Sequence, residues 1–507
     1  MALQGGRFSP SIKTIKWLYH ESGIASLWGA GKDAWLVIIA RTCRMFAFGA
    51  VSLIIALFFS ELKFSDFQIG VFMTLTLIGD VVLGLLVTLL ADGLGRRRVL
   101  FAGGFFMALS GAIFSYFENF WLLLFAAVLG VVSITGGDFG PFRAIEESIL
   151  SHLTTPSTRA DVLSWYVTSS GLGSAAGLGV VGHYIENVQK AHGWGLLKTY
   201  HSTFWIYILM GVLNMLFAFS MSDKSEISHV SEEQAPHESE QGLLDGSEDD
   251  EDYNTATPAD QQPSNKSSAL ASQASVQISQ ISSTTLSIMY KLWFLLAVDS
   301  VADGMVSYSL TNYYLDGKFH LSKSTLGSIM SAAYILGTVS TVFAGPCARH
   351  IGLLNTMVFT HIPSSAAVLF FPLPSGLVLT IILLFIRTGL NSMDQAPRAA
   401  FIAAAVKPHE RTAIMGITST VRTLASTIGP SVTGGLAESN HFWVAYVVGG
   451  SLRLLYDLGL WAMFVNMKLH AHEEPEEGEA TVSTELADEE TEGYQEQPTQ
   501  RAGSARA

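Results

Sequence analysis

Twelve apolar runs of about 20 residues dominate this chain and limit the folds open to it. A helix needs roughly 20 apolar residues to cross the hydrocarbon core of a bilayer. Of the 507 residues, 49% are hydrophobic and only 14% are charged, against about 25% charged residues in an ordinary soluble domain. The pattern predicts an all-α polytopic membrane protein with twelve transmembrane helices. The predicted spans 1–12 cover approximately residues 35–60, 67–91, 99–117, 120–142, 161–184, 202–221, 291–313, 324–345, 353–371, 376–397, 413–434 and 442–467.

The acidity of the chain is confined to two polar segments. The net charge is -14; residues 222–290 contain thirteen acidic and two basic residues, and residues 468–507 contain eleven acidic and three basic residues. Segments of this composition cannot bury enough apolar surface to fold alone. We therefore expect five parts. They are a cytoplasmic N-terminal segment (1–33), a six-helix bundle (34–221), a disordered acidic cytoplasmic linker (222–290), a second six-helix bundle (291–467) and a disordered acidic cytoplasmic tail (468–507).

Composition and motifs also exclude several classes of function. A nucleic-acid-binding protein needs a basic surface for phosphate contacts, and this chain is acidic. Two cysteines, Cys43 and Cys347, do not make a disulfide framework. The sequence shows no metal-ligand cluster, nucleotide-binding loop or nucleophile elbow. We predict that the protein is not an enzyme or an ATP-driven pump and that it uses no cofactor and no metal.

Basic residues in short loops indicate which ends of the spans face the cytoplasm. The basic residues that fall on one side of the predicted topology are Arg96, Arg97, Arg98, Arg159, Arg349, Lys407 and Arg411. Both termini and the central linker are then cytoplasmic. The first 33 residues contain no pattern typical of a cleavable signal peptide. We expect a plasma-membrane protein, with a vacuolar or peroxisomal membrane as the alternative.

The two predicted bundles resemble repeats of each other. Asp138 begins an Asp-x-x-Pro sequence near the end of span 4 that is followed by Arg143, and Asp394 begins the same pattern at the end of span 10, followed by Arg398. Tryptophans open spans 1 and 7 in the same way. Duplication of a six-span unit is typical of secondary transporters.

A loop motif between spans 2 and 3 gives a specific resemblance. Residues 90–98 read Leu-Ala-Asp-Gly-Leu-Gly-Arg-Arg-Arg, which resembles the Gly-x-Leu-Ala-Asp-Arg-x-Gly-Arg-Arg-Arg motif of the major facilitator superfamily. Thr88 replaces the first glycine and Gly93 the basic residue, and residues 345–352, with Arg349, form a degenerate second copy. The resemblance covers about residues 34–467. It implies two pseudo-symmetric six-helix bundles, a small-molecule substrate, a lipid bilayer, protons as a partner and a monomeric protein.

The resemblance also implies a role for this loop. The carboxylate of Asp92 is expected to accept hydrogen bonds from the start of span 3 and to pair with a basic residue across the halves. The motif residues expected to hold the cytoplasmic end shut are Asp92, Gly95, Arg96, Arg97, Arg98 and Arg349. The alternative is that the arginines only fix topology.

The glycines of span 5 favour one branch of the superfamily. Gly173, Gly177 and Gly182 lie where antiporters have a glycine-rich motif, although its proline is absent. Close helix packing through small residues is the alternative explanation. The chain is most similar in general pattern to fungal drug:proton antiporters, which implies proton-coupled export. An organellar or uptake carrier on the same fold and a non-transporting membrane sensor remain as alternatives.

Ionisable residues inside spans are the strongest pointers to function because they are costly unless paired or hydrated. In the family fold, spans 1, 4, 7 and 10 line a cavity, while span 2 meets span 11 and span 5 meets span 8. Basic span 1 opposite acidic span 7 predicts a cytoplasmic charge clasp that acts as a gate. Direct binding of substrate or protons and simple solvation of the helix ends are the alternatives. The residues of this predicted clasp are Arg41, Arg44, Asp299, Asp303, Asp138, Arg143, Asp394 and Arg398.

Asp80 is predicted to be the proton-coupling residue. It lies twelve residues before Asp92, hence about 18 Å along span 2 and near the middle of the membrane. Arg422 reaches a similar depth in span 11. If the two paired in one conformation only, the proton affinity of Asp80 would change with conformation. A permanent structural ion pair is the alternative.

Other polar residues are candidates for the substrate cavity. They are Arg387, Tyr308, Asn312 and Tyr334. Arg387, midway along span 10, either attracts an anionic substrate or pairs with an acidic residue. For the other three, the alternative is that they are packing residues or part of an interfacial belt, which is the more frequent role of such residues. Arg453 and Asp457, four residues apart in span 12, are expected to neutralise each other.

Overall fold

The computed structural model describes residues 23–130, 142–222, 225, 283–407 and 410–465, and all its regular elements there are helices. A helix satisfies its backbone hydrogen bonds internally, which a chain surrounded by lipid requires. The helices are α1 (Ile24–Gly29), α2 (Lys32–Glu61), α3 (Asp66–Leu94), α4 (Arg96–Tyr116), α5 (Phe120–Leu129), α6 (Phe142–Leu153), α7 (Pro156–His192), α8 (Leu196–Ser220), α9 (Ser283–Met305), α10 (Tyr308–Phe319), α11 (Lys323–Ile351), α12 (Leu353–Phe370), α13 (Leu377–Asn391), α14 (Gln395–Ala405), α15 (Arg411–Ser426), α16 (Ile428–Glu438) and α17 (Phe442–Phe464), with a 3-10 turn at Ser392–Asp394.

Nine stretches of the described chain are long and apolar enough to cross a membrane, and they match predicted spans 1, 2, 3, 6, 7, 8, 9, 10 and 12. The other three spans differ for separate reasons. Span 4 is described only as α5, because residues 131–141 lie outside the described part together with Asp138. Span 5 is the 37-residue α7, which is rich in glycine and serine. Span 11 is divided at Thr427 into α15 and α16, of 16 and 11 residues.

The boundaries of two predicted segments shift in the structure. Helix α9 begins at Ser283, so it extends eight residues into the segment predicted to be linker. The short α1 lies in the predicted N-terminal segment, where the hydroxyl of Ser26 donates to Asp161 Oδ2 at 2.6 Å. Most of the predicted acidic linker and the whole of the tail lie outside the described residues.

The helices pack as an N-terminal half, α2–α8, and a C-terminal half, α9–α17. In the first half α2 packs against α7 and α8, and α4 packs against α8; in the second, α9 packs against α15 and α17, and α12 against α17. The two halves pack against each other mainly through two pairs of helices, α11 with α7 and α16 with α3. These are the pairs of spans 5 and 8 and of spans 2 and 11, as the family resemblance implies.

The halves meet where glycines allow two backbones to touch. A Cβ atom on Gly70 would lie 3.0 Å from the Cα atom of Gly434, and one on Gly182 would lie 3.0 Å from the Cα atom of Gly327. Both contacts lie away from the loop at residues 90–98. We call the end that carries this loop the motif end, and the opposite end, where α3 and α11 begin, the far end. The glycine contacts form the core of a seam between the halves at the far end.

Candidate substrate cavity

A cavity of about 350 Å³ lies between the two halves, on the motif side of the far-end seam. Its volume is in the range of small-ligand sites. Both halves contribute charged side chains to its wall, and the C-terminal half adds two aromatic ones. The charged residues in the lining are Arg41, Arg143, Asp303, Arg387 and Arg422, and the aromatic ones are Tyr308 and Tyr334.

Polar contacts close the seam at the far end. Thr74 Oγ1 donates to the carbonyl of Thr427 at 2.7 Å, which joins span 2 to span 11. Asn312 Nδ2 donates to the carbonyl of Ser52 at 2.9 Å, which joins span 7 to span 1. Asn312 is fully buried in this seam and does not line the cavity, in contrast to the sequence-based expectation. Its amide bridges two spans instead of facing a substrate.

A third contact joins spans 5 and 8 beyond the predicted end of span 5. The hydroxyl of Ser324 donates to Glu186 Oε2, and Lys190 Nζ lies 2.5 Å from Glu186 Oε1. The hydrogen bond from Lys190, followed by that from Ser324, lowers the pKa of the Glu186 carboxyl to about 2. This carboxyl is therefore ionised at any physiological pH.

A buried ion-pair network holds the N-terminal half together next to the cavity. Arg44 donates to both carboxylate oxygens of Glu146, at 2.8 and 2.7 Å. Arg41 Nη1 donates to the Tyr166 hydroxyl at 2.6 Å and lies 3.5 Å from Glu146 Oε2. Tyr166 in turn donates to Glu146 at 2.9 Å. Spans 1 and 5 and helix α6 thus share one carboxylate.

The sequence did not single out Glu146, the centre of this network. It favoured Arg143, whose Nε instead forms a half-exposed pair with Glu147 Oε1 at 2.7 Å. Two features of the sequence could have pointed to Glu146. It lies three residues after Arg143, about one helical turn away, and span 1 contains two arginines without an acidic residue to balance them.

A second network lies in the C-terminal half. Arg453 Nη1 lies 3.1 Å from Asp303 Oδ1, and its Nη2 lies 2.7 Å from His361 Nε2. His361 Nδ1 lies 2.7 Å from Asp457 Oδ1, which makes a bond between spans 9 and 12. Asp457 also accepts from Ser365 at 2.8 Å. Arg453 and Asp457 are thus joined through His361 rather than by a direct ion pair, and His361 is a second residue that the sequence did not single out.

Asp299 and Asp394 belong to the same network. Asp394 accepts a hydrogen bond from Arg398. Asp299 is fully buried, lies 4.0 Å from Arg398 and 3.8 Å from His361, and its carboxylate oxygens accept no hydrogen bond from the described residues. The carboxylates of spans 7, 10 and 12 are therefore held within their own half.

The structure does not bring the two sides of the predicted charge clasp together. The ion pairs given above for Arg41 and Arg44 are with Glu146, and those of Asp299 and Asp303 are with residues of the C-terminal half. Of these four residues, Arg41 and Asp303 line the cavity from opposite halves. The clasp therefore stays a prediction for another conformation.

Asp80 and Arg422 are also apart. Asp80 is 8% exposed, and its Oδ1 accepts no hydrogen bond from the described residues. Its charge acts on Tyr207 of span 6, whose hydroxyl donates to the Gly130 carbonyl at 3.2 Å. Arg422 instead lines the cavity, near the charges of Asp299 and Asp303. Span 2 turns Asp80 towards the interior of the N-terminal half, away from span 11.

The loop motif is only partly described. Gly95 precedes α4 with φ of +90°, a conformation that favours glycine. Arg97 Nη2 donates to the Phe219 carbonyl at 3.2 Å, which links α4 to the end of α8. Arg96 and Arg98 lie in the first turn of α4, and Arg349 lies in the last turn of α11. The side chain of Asp92 lies outside the described residues, so the predicted gate stays untested.

Arg387 lines the cavity from the middle of span 10. It donates to Thr311 Oγ1 at 3.0 Å and to the Val306 carbonyl, and its guanidinium carbon lies 5.7 Å from the ring centroid of Tyr308. Tyr308 in turn contacts Tyr334, with ring centroids 4.6 Å apart. Among the described residues, the hydrogen-bond acceptors of Arg387 are neutral.

Comparison with known proteins gives consistent similarities. The family model of the Major Facilitator Superfamily matches residues 37–283 and 292–500. An uncharacterized membrane protein of Saccharomyces cerevisiae is 29% identical over 446 residues, 86% of this chain and 95% of the relative. Among solved structures, a point variant of the nucleoside transporter NupG has a TM-score of 0.64 at 14% identity, covering 85% of this chain and all of that one. The xylose transporter XylE of E. coli, in a partially occluded inward-open conformation, has a TM-score of 0.60 at 13% identity over 85% and 100% of the chains.

Proposed function

This chain belongs to the major facilitator superfamily, and from that premise we propose that it moves a small organic solute across a membrane by alternating access. The observation that carries the proposal is the cavity between the halves, closed at the far end by the seam. In alternating access, two bundles rock against each other around a central site. The seam and the predicted gate at the motif end would then open in turn.

We further propose that transport is coupled to protons and directed outward, as the resemblance to fungal drug:proton antiporters implies. Asp80 remains our candidate for the coupling residue, because it is buried, its Oδ1 has no hydrogen-bond partner among the described residues, and such a carboxylate is costly unless it has a function. The alternative is an uptake or organellar carrier. The nucleosides and xylose named for the structural relatives do not carry over at 14% and 13% identity.

The clasp is proposed to form when the motif end closes. Arg41 and Asp303 face the same cavity from opposite halves, so a rocking motion would shorten the distance between them. Arg44 and Asp299 do not line the cavity, so we expect them to stay with the partners of their own halves. We expect Arg41→Asp combined with Asp303→Arg to restore part of the activity that either single reversal loses. A double variant no better than either single one would exclude this direct pairing.

The remaining proposals concern the cellular setting. We propose a monomer in the plasma membrane, with both termini and the linker on the cytoplasmic side together with the motif end. Tags on either terminus should be inaccessible from outside intact cells until the membrane is permeabilised.

The experiment that tests the proposed function is uptake into proteoliposomes that contain the purified full chain. A panel of organic anions, neutral solutes and cations is offered with and without a pH gradient. Carriage of a solute above the rate of protein-free liposomes is the expected result, and stimulation by the gradient supports coupling. Correctly folded protein that carries no solute of any charge would favour the non-transporting sensor.

A further inference from the structure

We infer that the substrate of the cavity is a small organic anion, held by Arg387 and Arg422. This inference rests on the proposed function and names the substrate class. The first observation is the charge of the wall: among the residues that the structure describes, four arginines and one aspartate line the cavity. The aspartate, Asp303, is paired with Arg453 at 3.1 Å, so the surplus on the wall is positive.

The arginines differ in how far their charge is balanced. Arg143 is paired with Glu147, and Arg41 shares Glu146 with Arg44. Arg387 donates only to a hydroxyl and a backbone carbonyl among the described residues. Arg422 Nε is buried without a hydrogen-bond acceptor there. A guanidinium in a low-dielectric wall can bind a carboxylate or phosphate through two parallel hydrogen bonds, and no carboxylate is paired with either of these residues among the described ones.

A helix start strengthens the same assignment. Span 7 breaks after Met305, and the 12-residue helix α10 begins at Tyr308 beside the cavity. Its N-cap residue Ser307 is 5% exposed, makes no cap bond, and its hydroxyl has no partner among the described residues. Ser300, 2% exposed and also in the wall, has an unpartnered hydroxyl as well. A helix N-terminus carries partial positive charge, and unsatisfied hydroxyls buried in a wall indicate a polar ligand.

The acidic groups behind the wall do not reverse this charge. Asp299 and Asp394 lie outside the lining and are close to Arg398 and Arg453. The Tyr308–Tyr334 pair adds an apolar and aromatic surface next to Arg387. The site therefore suits an anion that also has an apolar or planar part. The acidic residue that a cation would need in the described wall is Asp303, and its charge is already balanced by Arg453.

The charge of the cavity can be measured before any substrate is known. In a background with Cys43 and Cys347 replaced by serine, Thr338→Cys places a thiol in the half-buried wall, and Ser375→Cys places one in an exposed loop. Each thiol reacts with an anionic and a cationic methanethiosulfonate of similar size. We expect the anionic-to-cationic rate ratio to be about tenfold or more higher at Thr338→Cys than at Ser375→Cys. Equal ratios, or a preference for the cation, would overturn the assignment.

Variants then assign this preference to the two arginines. Arg422→Gln and Arg387→Gln should each lower the ratio, whereas Arg387→Lys, which keeps the charge, should retain most of it. Lys407→Gln removes an exposed positive charge outside the lining and should leave the ratio unchanged. Arg387→Gln also removes two hydrogen bonds within the protein. If this variant does not fold, the rate ratio measured for Arg422→Gln decides the test. A ratio that neither glutamine variant lowers would overturn the role of these residues.

Uptake separates this inference from the proposed function. Benzoate, benzamide and benzylamine share one ring and differ in charge, and the proteoliposome panel includes all three. Carriage of benzamide or benzylamine with exclusion of benzoate would contradict the anion assignment and leave transport intact. An anion-selective cavity in a protein that carries nothing would contradict the proposed function and leave the charge assignment intact.

Discussion

The backbones of Gly182 and Gly327 touch across the far-end seam, because a Cβ atom on Gly182 would lie 3.0 Å from the Cα atom of Gly327. The second glycine contact, between Gly70 and Gly434, has the same distance. Spans 5 and 8 thus meet in the same way as spans 11 and 2. Two matched glycine contacts thus close the same end of the molecule, one from each pair of spans.

We expect Gly182→Val to open this seam. Overfilling a packed contact costs about 1–3 kcal/mol, and only the far-end-closed conformation bears this cost. A Ser331→Cys reporter next to Gly179, in the cysteine-free background, should then react faster with a membrane-impermeant maleimide. Gly416→Val is the control, because Gly416 is an exposed glycine of α15 outside the seam and its Cβ would meet nothing within 4 Å. Equal reporter rates in the two variants would exclude the gating role.

Glu146→Gln should destabilise the N-terminal half, while Glu147→Gln should not. Glu146 is buried between Arg41 and Arg44, and removal of one partner from a buried ion pair costs about 3–5 kcal/mol. Glu147 pairs with Arg143 in a half-exposed position, and a solvent-accessible pair contributes at most about 1 kcal/mol. Thermal unfolding of the detergent-purified protein compares the two neighbouring variants. Similar melting temperatures would show that the network does not hold the half together.

The architecture was predictable from the sequence because it follows from repeated local signals. Span length, loop charge and the repeated Asp-x-x-Pro patterns all depend on residues close together in the chain. The pairing of spans 5 with 8 and 2 with 11 came from the family resemblance. Span 5 is not among the nine stretches that are apolar enough to cross a membrane, because its glycines and serines pack against neighbouring helices instead of lipid.

The partners of charged residues were less predictable, because rotation of each helix about its axis decides them. Asp80 was expected to face Arg422, but span 2 turns it towards Tyr207. Arg453 and Asp457 have the four-residue spacing of a helical ion pair, yet His361 from span 9 inserts between them. A single histidine in an apolar run gives no periodic signal. Its role becomes visible only when three spans are packed together.

Glu186→Gln should not change the shape of the pH dependence of transport. Hydrogen bonds from Lys190 and Ser324 lower the pKa of Glu186 to about 2 in the folded protein, below the ordinary value of about 4.3. The contribution of the ionised carboxylate is thus complete above the ordinary pKa and is lost only as the pH falls through about 2. Transport by the variant, measured from about pH 5 to 8, should keep the profile of the parent. A flattened profile would show that Glu186 itself carries the coupled proton.

Asp80→Asn should uncouple transport from the pH gradient. The side chain is buried in span 2, one carboxylate oxygen has no partner among the described residues, and asparagine imitates the protonated form. We expect the variant to exchange the carried solute across the membrane but to lose accumulation driven by a pH difference. Counterflow and gradient-driven uptake in the same proteoliposomes, with the membrane potential clamped, measure the two activities separately.

Asp161→Asn is the matched control for this test, because Asp161 accepts from Ser26 outside the cavity and has no part in the proposed coupling. It should accumulate the solute as the parent does. If Asp80→Asn also accumulates the solute fully, the coupled proton binds elsewhere. Asp303 is then the next residue to test, since it is the acidic residue of the described cavity wall and faces Arg41 from the opposite half. In that case the predicted clasp and the proton site would share one carboxylate, and closing the motif end would itself release the proton.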